Sequence, residues 1–183
     1  MSYIQTIDES QADGQLADLY ARFSNPDGSV DNVLKLHALN PESLEAHCNL
    51  YKQACHRPSP VSRIEREIIA CVVSRINGCG YCLRHHSRGL GRLLPEARKA
   101  LADQLIAGDH DDLTPRERAI AGYADKLTRE PASITQANID ALRTAGLGDR
   151  EILDTAQVVG YFAYANRIVL GLGACLEDES PDH

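Results

Sequence analysis

The sequence predicts an all-α protein, and three observations carry that prediction. Apolar residues recur at helical spacing through most of the chain, helix starts are marked by Ser, Thr or Asn caps followed by Pro or Glu, and no stretch shows the period-2 alternation of a strand. Composition agrees. Tryptophan is absent and phenylalanine occurs twice in 183 residues, so the core falls to Leu, Ile, Val and Ala, a helix-favouring set. A chain of this length, 43% hydrophobic and 25% charged, reads as one globular domain over 1–183.

Taken in order, residues 1–13 read as an irregular lead-in. Leu16, Leu19, Tyr20 and Phe23 give a helix over 14–24, closed by the turn Asn25-Pro26-Asp27-Gly28. A short helix is expected over 29–38. Asn40 caps and Pro41 opens the next, over 41–56, which Arg57-Pro58-Ser59-Pro60 ends. Ser62 and Glu65 then stand at capping-box spacing ahead of a segment apolar on most of its circumference, as a buried helix is. Asn77-Gly78 stops it. A helix from about Cys79 to Gly91 and another over 94–107 follow. Thr114, Pro115 and Glu117 open a helix in 113–130; Thr135 and Asn138 open one ending near Ala145; and a long apolar helix covers 149–174. A faint echo relates 66–77, which begins Arg-Glu-Ile-Ile and ends in Asn77, to 150–166, which begins Arg-Glu-Ile-Leu and ends in Asn166. It suggests a weak internal duplication.

The net charge of −7, with no run of Lys or Arg, excludes a nucleic-acid reader of the usual basic kind. The acidic stretches at 109–112 and 177–183 read as solvated loop and tail. No segment approaches the length of a membrane span, and the N-terminus lacks the basic start and apolar stretch of a secretory signal. The expectation is a cytoplasmic chain whose cysteines are reduced at rest, so that a close pair points to catalysis or metal.

That pair is Cys79-Gly80-Tyr81-Cys82, with His85 and His86 after it. On a helix starting near Cys79, Cys82 lies one turn on and His86 four residues beyond Cys82, on the same face. Cys79 falls in the first turn, where unpaired N–H groups and the helix dipole favour negative charge. A helix N-terminus, an imidazolium or a neighbouring thiol lowers a cysteine pKa from about 8.5 toward roughly 3.5–7.5, and the thiolate is the reactive form. One thiol of such a pair attacks an oxidant and the other resolves the sulfenic acid. Glu67, on the preceding helix in a stripe with Arg63, Cys71 and Ser74, is placed to move protons to and from a thiol.

Glu67, twelve residues before Cys79, then the Cys79/Cys82 pair and His86, together with Asn77 at the entry and Tyr81 before the second cysteine, resemble the core motif of the alkylhydroperoxidase D-like (AhpD-like), or carboxymuconolactone decarboxylase, family. The segments 116–135 and 160–173 resemble its peroxidase-related branch, so the resemblance covers most of the chain. It implies an all-helical fold assembling as dimers, trimers or hexamers, and a thiol-dependent alkyl hydroperoxide reductase or disulfide reductase. It maps the attacking thiol to Cys82, the resolving thiol to Cys79, and a proton relay to His86 and Glu67. It implies no cofactor, and an external dithiol, such as a lipoyl-bearing or thioredoxin-like protein, as reductant. The best-studied members carry histidine before the second cysteine, where this chain has Tyr81. Decarboxylase-type members lack the cysteine pair that this chain keeps.

Other readings stand beside this one. Zinc on Cys79, Cys82 and His86, with His85 or Glu67 as fourth ligand, would make a binding module, though no second paired knuckle exists. The pair would also serve a disulfide carrier, and the scaffold a carboxymuconolactone decarboxylase-type enzyme. A thioredoxin fold is set aside, since no βαβ pattern precedes the pair. Glu67 alone would pair with Arg63. His85 is a neighbour, its side chain about 100° round the helix from that of His86. Tyr81 lines the pocket or packs. Cys48, Cys55, Cys71 and Cys175 read as small hydrophobes, with Cys48 and Cys55 on one helical face. Tyr161, Phe162 and Tyr164 read as core or subunit interface, and Asn166-Arg167 as structural polar contacts near the site.

Overall fold

The computed structural model describes residues 2–177, and all regular structure there is helical. Most of the acidic tail expected as solvated lies outside the described residues. The chain falls into two compact units, one from the start to Gln53 together with the residues from Arg167 on, the other Ala54–Asn166.

The first unit holds α1 (Gly14–Phe23), α2 (Asn32–Lys35) and α3 (Pro41–Tyr51). Leu16, Leu19 and Tyr20 of α1 pack with Val30, Ala38, Leu44 and Cys48. Asn40 caps α3 by accepting from the Ser43 N–H, with Pro41 at the first helical position. The helix expected over 29–38 is confined to the single turn of α2. The helix expected to reach residue 56 is α-helical only to Tyr51; Lys52–His56 is a π turn. Cys48 and Cys55 are therefore not seven residues apart on one continuous α-helix.

The second unit is built on α4 (Arg63–Ile76), whose residues Glu65–Ser74 are all buried. Both bonds of its capping box form: Glu65 N–H to Ser62 Oγ at 3.1 Å and Ser62 N–H to Glu65 Oε2 at 2.7 Å. Losing such a cap costs about 1 kcal/mol. Around α4 pack α5 (Gly80–Leu93), α6 (Ala100–Ala107) and α7 (Pro115–Arg129), and α8 (Gln136–Thr144) lies on α7. α9 spans Asp149–Leu172, and its residues through Asn166 belong to this unit. The caps read at Thr114 and Thr135 both form as capping boxes. α6 begins six residues later than residue 94 because Leu94 precedes Pro95 and is held extended (φ −73°, ψ 141°), with only a 3₁₀ turn at Glu96–Arg98 before the helix.

α4 ends as its sequence suggests. Asn77 caps it, and Gly78 turns the chain with φ +69°, a conformation glycine adopts without penalty. The Cys79 N–H then returns to the Ser74 carbonyl at 2.8 Å, and α5 starts at Gly80. This short link sets the cysteine pair against the end of α4. No described helix is long and apolar enough to cross a membrane.

Candidate active site

Cys79 occupies the N-cap position of α5, and Cys82 sits one turn inside it. All six cysteines are free thiols. Cys79 is fully buried and Cys82 is 5% exposed. The Cys82 thiol donates to the Cys79 sulfur, and this bond holds Cys79 below the ordinary thiol value; burial opposes it, while the Cys82 backbone N–H and the Asn166 carboxamide add to it. Cys82 moves the other way, raised by the same hydrogen bond, by burial and by the Cys79 charge. The bond between the sulfurs thus favours one charge on the pair and penalises a second beside it.

Glu67, 6% exposed, lies on α4 and pairs with His86 of α5, Nδ1 to Oε2 at 2.7 Å. This places the expected relay partners together, and Glu67 takes His86 in place of the Arg63 contact that spacing alone suggested. Gly89, one turn beyond His86, faces the same carboxylate: a Cβ there would lie 3.4 Å from Glu67 Oε2. The His86 ring is held edge-on by Phe162 of α9, centroids 4.6 Å apart, and Tyr161 packs in turn on Phe162 at 4.9 Å. The aromatic cluster of α9 thus forms a wall of the site as well as core. Tyr81 is buried and stacks on His85 at 4.4 Å.

Asn166, also on α9, is fully buried. Its Oδ1 accepts from Asn77 Nδ2 at 2.9 Å and its Nδ2 donates to Ser74 Oγ at 3.2 Å. The two asparagines that end the echoed segments therefore meet at the site. Arg116 of α7 bridges the same two helices further back, donating to Glu65 at 2.7 Å and to Glu151 at 2.6 Å. His56, which spacing did not single out, lies within electrostatic range of Glu67 and His86. Cys55 and Cys71 are buried thiols pushed up by burial, as unreactive core cysteines are. Among the described residues, no three His, Cys, Asp or Glu side chains converge as a metal centre requires.

Residues 41–93 match the Carboxymuconolactone decarboxylase family. An uncharacterized peroxidase-related protein from Silicibacter sp. TM1040 is 32% identical, with 95% of this chain and 92% of that one covered and a TM-score of 0.80. The alkylhydroperoxidase AhpD core of an uncharacterized peroxidase-related protein from Ralstonia eutropha JMP134 shares the fold at a TM-score of 0.87, with 24% identity over 97% of this chain and 93% of that one. The debrominase Bmp8, in a variant complexed with 2,3,4-tribromopyrrole, shares it at a TM-score of 0.79, with 19% identity over 97% and 94%. Sequence, fold and likeness along nearly the whole length agree, and the chain belongs to the AhpD-like carboxymuconolactone decarboxylase family.

Proposed function

We propose that the protein is a thiol-dependent alkyl hydroperoxide reductase acting through Cys82, Cys79, His86 and Glu67. One observation carries the reading: two free thiols stand at a helix start, one turn from an imidazole already paired to a buried carboxylate. In the singly ionised pair, with the remaining proton on Cys79, Cys82 is the nucleophile. The Cys82 thiolate attacks the distal oxygen of ROOH. The O–O bond breaks, Cys82 becomes the sulfenic acid, and the departing alkoxide takes a proton through the His86–Glu67 pair to leave as ROH. Cys79 gives its proton to the His86–Glu67 pair and as thiolate attacks the Cys82 sulfur; the pair passes that proton to the departing hydroxyl, which leaves as water, and a Cys79–Cys82 disulfide forms. An external dithiol, lipoyl-bearing or thioredoxin-like, reduces it to two thiols. The working form is a homo-oligomer in the cytoplasm.

The test is to titrate free thiols before and after one equivalent of cumene hydroperoxide and to locate any new bond by mass spectrometry. Loss of two thiols with a Cys79–Cys82 disulfide supports the reading; intact thiols refute it. The fold shared with the debrominase makes a brominated heterocycle the second oxidant to try in the same titration. A decarboxylase-type enzyme would stay active in a Cys79→Ser/Cys82→Ser variant, and a zinc-supported module would purify with stoichiometric metal.

A further inference from the structure

We propose that Asn166 is a positioning residue of the thiol pair, its buried carboxamide fixed by Asn77 and Ser74 so that an N–H is presented to sulfur. This deepens the thiol-pair reading and rests on it. A carboxamide has one oxygen and two N–H donors. The oxygen is taken by Asn77 at 2.9 Å, and one donor is directed to Ser74 Oγ at 3.2 Å. That fixes the plane of the amide, and its remaining donor serves the sulfurs of Cys79 and Cys82.

The anchors are well chosen for the purpose. Ser74 lies in the last turn of α4 and Asn77 caps it, and the Ser74 carbonyl accepts the Cys79 N–H at 2.8 Å. Asn166 therefore grips the same helix end that fixes Cys79. An N–H dipole held in a buried place favours a charged sulfur without bringing a charge of its own. A lysine or arginine there would hold the thiolate more strongly but would carry an unpaired charge into a fully buried position. The amide acts in the same direction on both sulfurs, against the burial that raises each, and so favours the singly ionised pair.

The test uses iodoacetamide, a neutral alkylating probe, so it needs no peroxide. Alkylation rates at Cys79 and Cys82 are followed against pH by mass spectrometry in the full-length protein. Asn166→Asp keeps the shape and the oxygen that accepts from Asn77 but replaces the nitrogen, and with it both N–H donors, by an acceptor; Asn166→Leu removes the donors without adding charge. Both are expected to raise the alkylation midpoint by about one pH unit, a tenfold loss of thiolate below it. Ser74→Ala, which removes one of the amide's two anchors but not its donor to sulfur, should move the midpoint in the same direction by clearly less than the Asn166 variants. Asn166 variants that lose stability with an unmoved midpoint would overturn the proposal, as would an equal shift in Ser74→Ala. If the Asn166 variants do not fold, Asn77→Ala decides: it frees the amide oxygen at a partly exposed position, and an unmoved midpoint there also counts against the role. Failure of the peroxide titration with a normal midpoint shift would instead remove only the peroxidase reading.

Discussion

Replacing Glu67 by Gln isolates the charge of the relay. The carboxylate sits 2.7 Å from His86 Nδ1, and the two side chains are only 8% and 15% exposed. Glutamine has the same length, and its amide oxygen still accepts from Nδ1, so the contact survives as a neutral hydrogen bond. Charge-assisted bonds are worth about 1.5–3 kcal/mol and neutral ones about 0.5–1.5. The imidazolium formed or consumed during proton transfer therefore loses roughly 1–1.5 kcal/mol, or about tenfold in rate. Loss of the carboxylate as a proton acceptor adds to this, up to the lower end, about 10², of the range for general acid–base catalysis. We expect thiol oxidation by cumene hydroperoxide, followed in a single turnover by stopped flow at pH 7, to slow ten- to a hundredfold. The thermal midpoint should fall by no more than about 2–4 °C per kcal/mol lost. A rate within twofold of wild type, in a folded variant, would show that the Glu67–His86 bond is structural and that the relay argument fails.

Three further outcomes follow from the same geometry. In Cys79→Ser, hydroperoxide should leave a Cys82 sulfenic acid that dimedone traps, and in Cys82→Ser no such adduct should form. Burial raises the thiols of Cys48, to about 11, and of Cys55 and Cys71, above the ordinary 9.0; the unfolded chain sheds those protons first, so thermal stability should decline as pH rises through 9, and less so in Cys71→Ala. His47 is lowered from 6.5 to about 4 by burial and by the neighbouring His37, whose Nε2 lies 3.1 Å from His47 Nδ1. The unfolded chain therefore takes up that proton first, and stability should fall by roughly 3 kcal/mol as pH drops from 6.5 to about 4 and then level off. Urea unfolding across that range measures it, and the loss should shrink in His47→Gln.

Helix starts were the most legible part of the fold, because a cap is a local bargain between neighbours: Ser62 with Glu65, Thr114 with Glu117 and Asn40 with Ser43 all form as their spacing requires. Departures came where an i→i+4 pattern does not control the backbone. Lys52–His56 widens to a π turn, which apolar spacing does not distinguish from one more α turn, and Pro95 delays α6 by holding Leu94 extended. At the site, the meeting of Glu67 and His86 followed from the family resemblance, since spacing alone offered Glu67 an Arg63 partner. Asn166 reaches Ser74 and Phe162 reaches His86 from more than seventy residues away in sequence, and only packing shows it.

Gly89 gives the relay a vantage point. Its missing side chain leaves α5 backbone as the floor beneath the Glu67 carboxylate, with both oxygens within 3.7 Å of where a methyl would stand. Any residue placed there would look directly onto that carboxylate from outside the Cys-x-x-Cys turn and without replacing His86. The position is thus a tuning port: alanine would dry the acid, a hydroxyl would hydrate it, and an infrared-active nitrile would listen to its proton. A laboratory wishing to retune this protein for another oxidant can begin there, one atom from the proton path and a full helical turn or more from the sulfur chemistry.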